Sequence, residues 1–158
     1  MNRRTALSLT VTTVLGVGVS AFGSAIAQQS GSAAEAKAMF ERAVAAIKAN
    51  EGTALAAFND KSNKDYHDRD LYVFCYHMND GKFTAHVDPA RLGTDTRAIK
   101  IGDDPLGQRI FDTIQKAPEG TVSTVDYKFP KPGTTEPVAK QSYVTRIGNE
   151  GCGVGYYK

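Results

Sequence analysis

The stretch LYVFCYHMNDGKFTAHV, residues 71–87, decides the fold class of this chain. Two runs rich in aromatic and β-branched residues, 71–78 and 82–87, flank the sequence Asn79-Asp80-Gly81. Because glycine adopts a positive φ without strain, Asp-Gly between two such runs is a strong signal for a β-hairpin. The stretch therefore predicts two neighbouring antiparallel strands.

The C-terminal part of the chain predicts three more strands. They span residues 121–129, 138–147 and 152–157, and each follows a turn rich in glycine or proline. Alternation in the first of them places Val125, Tyr127 and Phe129 on one side. In the last, every second residue from 151 to 155 is glycine, which predicts that a backbone, a helix or a ligand approaches that face closely.

Helical signals lie before the hairpin and between its second strand and residue 121. Ser32 and Glu35 have the spacing of a capping box, and apolar residues then recur at helical spacing up to Ile47. Thr53 is expected to cap a shorter second helix, and Asp104-Pro105 is expected to begin an internal helix. Five antiparallel strands with helices packed against them make an α+β architecture.

Residues 1–27 have the pattern of a signal peptide. A short basic region with Arg3 and Arg4 precedes an apolar run, which ends at Ala25-Ile26-Ala27, an A-x-A cleavage pattern. The apolar run is short and rich in Thr, Ser and Gly, which favours cleavage near Ala27 over a retained membrane anchor. We therefore expect a periplasmic or secreted mature protein, residues 28–158, that forms a single domain and has no transmembrane segment.

Charge and motifs exclude several classes of function. The 158 residues include 19 basic and 17 acidic side chains, and the surplus of two positive charges is accounted for by Arg3 and Arg4. A neutral mature domain gives no electrostatic reason to expect a nucleic acid partner or an anionic membrane surface. The sequence has no G-x-S-x-G, P-loop, H-E-x-x-H or C-x-x-C-H motif, so it predicts no enzyme, cofactor or metal ion.

The order of these elements, with the particular residues used, resembles the single Cache domain family of the second type, which has a PAS-like fold. The resemblance runs from about residue 34 to residue 158. It rests on the strand opening 70–74, the hairpin 79–81, His86, Asp104 with Gly107, the segment 117–120, residues 127–132, residues 139–144 and the glycine-spaced closing strand that ends at Tyr156-Tyr157.

The resemblance implies a PAS-like five-stranded antiparallel sheet with a long N-terminal helix and an internal helix. It also implies extracytoplasmic sensing of a small molecule, in a pocket between the sheet and its flanking loops and helix. Most members are fused to transmembrane receptors, whereas this chain ends at Lys158. We therefore expect a free-standing module that presents its ligand to a separate receptor or transporter. The alternative is an interaction or structural module of the cell envelope whose pocket is filled by side chains.

Two cysteines leave two interpretations open. The first and last strands of a PAS-like sheet are neighbours, so Cys75 and Cys152 can form a disulfide there, and an oxidising compartment favours this. If Asp80-Gly81 is a two-residue turn, however, Cys75 lies opposite His86 and shares a face with His77. The set of Cys75, His77, His86 and Cys152 would then resemble a zinc site, and the chain would be a metal or redox protein.

The candidate ligand-binding residues are His86, Arg91 and Lys140, together with three tyrosines, Tyr76, Tyr127 and Tyr143. The first three are potentially cationic, and the expected walls are aromatic. An apolar cavity with one or two convergent donors is the usual construction for orienting a small carboxylate. The alternative interpretation makes His86 a packed core residue, and Arg91 and Lys140 ordinary surface charges.

Overall fold

The computed structural model describes residues 30–158, which form three α-helices and one antiparallel sheet. The helices are α1 (Ala33–Ala49), α2 (Glu51–Asn59) and α3 (Leu106–Lys116), and two short 3₁₀ turns span Pro89–Arg91 and Thr96–Ala98. The predicted signal peptide, residues 1–27, lies outside the described residues. No helix among residues 30–158 combines the length and the apolar character needed to cross a bilayer.

The sheet contains every strand that the sequence predicts. Its strands are β1 (His67–Asp68), β2 (Leu71–His77), β3 (Phe83–Ala85), β4 (Ser123–Pro130), β5 (Pro137–Ile147) and β6 (Glu150–Tyr157). They are arranged in the order β1-β2-β6-β5-β4. Strand β1 pairs with the start of β2, at Leu71 and Tyr72, and β3 pairs with β2 farther along, at Cys75 and Tyr76. The α+β fold class is confirmed, and the first and last predicted strands are neighbours.

Strand β1 is additional to the five predicted strands. It was not predicted because its segment has the composition of a charged loop. His67 is nevertheless buried, and its Nε2 lies 2.5 Å from the Phe58 carbonyl oxygen at the end of α2. This anchor holds the segment beside β2, where His67 pairs with Tyr72 and Asp68 with Leu71.

Two of the three predicted helix starts differ from expectation. The capping box is confirmed, since the Glu35 N–H donates to Ser32 Oγ at 3.2 Å and the Ser32 N–H donates to the Glu35 carboxylate at 2.8 Å. The cap of α2 is Asn50, whose Oδ1 accepts from the Thr53 N–H, so the prediction of Thr53 is wrong. Asp104 does not cap α3, because its carboxylate pairs with the Arg109 guanidinium instead.

The sheet has two covered faces with different partners. Helices α1 and α2 pack on one face, which we call the helical face, against residues such as Val73 and Val154. The other face, which we call the α3 face, carries Tyr72, Tyr76 and Val144 under α3. Because side chains alternate along a strand, neighbouring residues of β2 belong to different cores.

The cysteines form a disulfide on the helical face. Cys75 and Cys152 are direct partners across β2 and β6, with Cα atoms 4.1 Å apart, and both side chains are buried. The predicted disulfide is thus present in the structure. Glu150 is the third potential ligand near these sulfurs among the described residues, but the sulfurs are bonded to each other.

The register that the alternative zinc site requires, with His86 opposite Cys75, is not present. An irregularity between Cys75 and Tyr76 shifts the register, and Cys75 pairs with Ala85. His86 lies beyond the end of β3 and packs against the rings of Tyr72 and Phe83 on the α3 face. The four residues of the hypothetical zinc site therefore do not converge.

Candidate ligand-binding site

A small cavity lies between the sheet and α3. It has a volume of about 40 Å³, and we call it the inner cavity. Its lining residues are Tyr72, Phe74, Phe83, His86, Thr96, Ile99, Leu106, Gly107, Ile110, Tyr127 and Phe129. A space of this volume holds about three water-sized groups, so only a compact molecule, or one end of a longer molecule, fits inside.

A larger opening adjoins the inner cavity. This outer cleft has a volume of about 480 Å³ and shares Tyr72, His86 and Phe129 with the inner cavity. Its other walls include Lys61, the 3₁₀ turn with Arg91, and residues 130–134, which lead from the end of β4 toward β5. The three shared residues mark the junction between the mostly apolar inner cavity and the more polar outer cleft.

His86 is the polar group at that junction. The Asp88 N–H donates to His86 Nδ1 at 2.9 Å, so the proton of the neutral ring is on Nε2. Burial, followed by the nearby charge of Arg91, lowers the pKa of His86 to about 4. At neutral pH the imidazole is therefore an uncharged donor, and its ring is held edge-on to Tyr72 and Phe83 at centroid distances of 5.3 and 5.1 Å.

Arg91 supplies positive charge on the outer side of the junction. It lines the outer cleft, and its guanidinium carbon lies 5.8 Å from the centroid of the Phe129 ring. Within residues 30–158, no carboxylate lies within 4.0 Å of it. Its charge is thus available to an anion at the junction.

Lys140 is buried in an aromatic box behind the junction. Its side chain is 2% exposed, and Nζ lies 4.5 Å from the ring centroids of both Tyr72 and Tyr157. It donates to their hydroxyls at 3.3 and 3.5 Å and has no carboxylate partner among the described residues. Gly155 makes room for it, because a Cβ there would lie 2.6 Å from Lys140 Cε. Lys140 lines neither the inner cavity nor the outer cleft, and it borders a separate surface groove beside β4 and β5.

The structure brings together some of the predicted tyrosines and not others. Tyr127 lines the inner cavity and hydrogen bonds Ser142 Oγ at 2.7 Å. Tyr76 is on the same face but is fully buried against Phe111 and does not line the cavity. Tyr143 lies on the helical face, stacked on Tyr156 at 6.0 Å, so the structure does not bring it to the site.

Sequence reasoning missed Thr96 and two lysines. Thr96 lines the inner cavity and is 2% exposed, yet its Oγ1 has no partner in the part of the chain that the structure describes. Lys61 and Lys131 line the outer cleft. All three lie outside the α-helices and strands, where neither periodicity nor motif spacing indicates which way a side chain faces.

Comparisons with known proteins give a family match and similar folds. A family model described as Single Cache domain 2 matches residues 1–157. Three solved structures are similar in fold. The first belongs to a study of carboxylic acid recognition by a Cache chemosensory domain, with a TM-score of 0.56 and 24% identity over 70% of this chain and 72% of that one.

The second is a methyl-accepting chemotaxis protein from Vibrio parahaemolyticus RIMD 2210633, with a TM-score of 0.61 and 21% identity over 78% of this chain and 86% of that one. The third is a periplasmic sensor domain of a chemotaxis protein, with a TM-score of 0.56 and 25% identity over 77% and 87% of the two chains. The search of curated proteins found no match to this sequence.

Proposed function

The chain belongs to the single Cache domain 2 family, and on that premise we propose that it binds a small organic carboxylate at the junction of the inner cavity and the outer cleft, without chemically changing it. The carboxylate accepts hydrogen bonds from His86 Nε2–H and from the Arg91 guanidinium. The apolar part of the ligand enters the inner cavity.

The observation that carries this proposal is the pairing of a neutral donor with an unpaired cation at the mouth of an apolar cavity. A carboxylate that leaves water needs charge-assisted hydrogen bonds to offset its desolvation. Arg91 supplies the charge, and His86 supplies a donor that remains uncharged at neutral pH because its pKa is about 4. The small volume of the inner cavity favours a short apolar tail, such as a methyl or ethyl group.

The class of ligand is also supported by one structural neighbour, a Cache chemosensory domain described for its recognition of carboxylic acids. We extend that class to this chain because the polar groups here suit it. The proposed role is recognition alone.

The proposed location is extracytoplasmic, after cleavage near Ala27. A disulfide between Cys75 and Cys152 suits an oxidising compartment. We propose that the module presents its ligand, or the surface changed by it, to a separate receptor or transporter.

Calorimetric titration tests the proposal with matched pairs of acids and amides. Propionate and acetate should bind, whereas propionamide and acetamide, which have the same shape without the charge, should bind at least tenfold more weakly. Arg91→Met should weaken propionate binding by about tenfold, equivalent to about 1.4 kcal/mol. Lys64→Met, a change of an exposed lysine outside both cavities, is the control. Equal binding of acid and amide would refute the carboxylate proposal.

A second candidate function is a structural or interaction module with a filled pocket. It is favoured by Lys140, whose ammonium group occupies the aromatic box formed by Tyr72, Phe129 and Tyr157. Under this alternative neither acids nor amides bind at millimolar concentration, and Lys140→Met destabilises the protein without any effect on ligands.

A further inference from the structure

The outer cleft concentrates three cations from separate parts of the chain. Lys61 follows α2, Arg91 ends a 3₁₀ turn, and Lys131 follows β4. The lining of the cleft holds one carboxylate, Asp88, and its Oδ1 accepts the Ala90 N–H as the cap of that turn. The cleft therefore has a surplus of two positive charges.

These three cations lack ion-pair partners among residues 30–158. Lys131 Nζ donates to the Ser30 hydroxyl at 2.7 Å and lies 5.2 Å from the centroid of the Tyr157 ring. Both of those partners are neutral, so they leave the charge of Lys131 uncompensated. Arg91 likewise lies over the uncharged ring of Phe129.

A neighbouring surface groove, lined by residues of β4, β5 and the start of α3, has a smaller surplus, with four cations against the three carboxylates of Asp104, Asp126 and Glu136. There Arg109 pairs with Asp104 at 2.8 Å, and Lys158 pairs with Asp126 at 2.5 Å. Lys128 and Lys140 of the groove have no ion-pair partner among residues 30–158, so the groove keeps a surplus of one positive charge. The outer cleft, with a surplus of two, is the more positive of the two.

We infer that the outer cleft holds a second anionic group of the ligand, so that the ligand is a short dicarboxylate. This inference rests on the proposed function, which assigns the first carboxylate to His86 and Arg91. The second carboxylate lies farther out, between Lys61 and Lys131. A single carboxylate would leave one surplus positive charge in the cleft, whereas a dicarboxylate balances both.

The volumes support the same arrangement. The outer cleft, at about 480 Å³, has room for several carbon atoms and a second carboxylate beyond the junction, whereas the inner cavity has room for a methyl or ethyl group. Since Lys61 is exposed and Lys131 half-buried, each contact with the second carboxylate is screened by solvent. We therefore expect a gain of about tenfold in affinity from both lysines together, and a gain that falls with salt.

Titration of propionate, succinate and 2-methylsuccinate into the mature protein tests the inference. Succinate adds one carboxylate to propionate, and 2-methylsuccinate also keeps a methyl group for the inner cavity. At low ionic strength, both diacids should bind about tenfold more tightly than propionate. The double variant Lys61→Met/Lys131→Met keeps the apolar stems and should lose this advantage, while its affinity for propionate falls by no more than about twofold. Melting of the unliganded variant verifies that it folds.

Three outcomes would overturn the inference. If propionate binds and succinate binds no more tightly, the second anion site is absent and the proposed function stands. If Lys64→Met weakens succinate as much as the double variant does, the general charge of the surface is responsible and not the cleft. If neither acid binds, the proposed function fails together with the inference.

Discussion

The two faces of the sheet are built from alternate residues of the same strands, yet they differ in the side chains that they bury. The helical face is closed by α1, α2 and the disulfide, and its buried cluster is apolar apart from the nearby Glu150 and Thr145. The α3 face is aromatic and includes buried polar groups, among them His86, Lys140 and Thr96. It also holds the inner cavity.

Under the proposed function, residues of one strand contribute to stability on the helical face and to ligand binding on the α3 face. On β2, Cys75 lies on the helical face, and Phe74 and Tyr76 on either side of it lie on the α3 face. On β5, Ser142 touches Tyr127, and the next residue, Tyr143, packs toward α1. Substitutions one residue apart should therefore have different consequences, and four predictions follow from this in order of decreasing effect.

Removal of the disulfide should have the largest effect, and on stability alone. On the chain-entropy model, a bridge between residues 77 positions apart is worth about 4 kcal/mol. Urea unfolding of Cys75→Ala/Cys152→Ala should show a loss of this order, and propionate affinity should change less than twofold. Two free thiols in the denatured, unreduced protein would contradict the bridge, and a large loss of affinity would contradict the separation of the faces.

Acidification should lower the free energy of unfolding through His86, which lies on the α3 face. The pKa of His86 is about 4 in the folded protein and about 6.5 in the unfolded chain, so between these values the unfolded chain binds more protons. The neutral His86 therefore contributes about 3 kcal/mol to the free energy of unfolding above pH 6.5. This contribution is lost as the pH falls to 4.

The comparison of wild type with His86→Gln isolates this term. The raised pKa of Glu150, which is due to burial, is common to both proteins and cancels. The difference between their free energies of unfolding should decrease from pH 6.5 to pH 4. Parallel stability curves over that interval would show that His86 is not held neutral by burial.

Replacement of Gly153 by alanine should disturb the packing of side chains on the α3 face. A Cβ at this position would lie 2.5 Å from the Phe74 ring and 2.8 Å from the Tyr143 carbonyl oxygen. Gly153→Ala should therefore cost about 2 kcal/mol and, because Phe74 lines the inner cavity, weaken propionate binding. Gly52→Ala, in α2, is the matched control and should leave stability the same or slightly higher. An unaffected affinity in Gly153→Ala would place the ligand away from Phe74.

The smallest expected effect separates two tyrosines. Tyr127→Phe removes the hydrogen bond to Ser142 beside the inner cavity and should weaken propionate binding by a few fold, at a cost of about 1 kcal/mol in stability. Tyr143→Phe changes the helical face and should leave the affinity within about twofold. Titration of propionate into both variants checks this. A larger loss of affinity in Tyr143→Phe than in Tyr127→Phe would place the site on the helical face.

The strands and the capping box were predictable because they depend on local patterns, such as the alternation of Val125, Tyr127 and Phe129. The same alternation indicates that Lys140 and Tyr143, three positions apart on one strand, face opposite sides, so the two were incompatible as members of one pocket. The register of β3 was not predictable, since it depends on the irregularity beside Cys75.

The positions of Thr96, Lys61 and Lys131 depend on how irregular segments pack against a distant sheet. The Thr96 N–H, for example, donates to the Gly81 carbonyl oxygen in the hairpin, a contact that no periodicity specifies. The structure places the predicted residues His86 and Arg91 beside the cavities, whereas Thr96, Lys61 and Lys131 could not be identified as lining residues from the sequence.

The most direct measurement is a crystal structure of the mature protein with propionate. We expect density for one propionate at the junction, with one carboxylate oxygen within about 3 Å of His86 Nε2, the other oxygen toward Arg91, and the ethyl group in the inner cavity. Density for propionate at another surface, or an inner cavity occupied only by water at saturating propionate, would contradict the claim that the α3 face is the binding face.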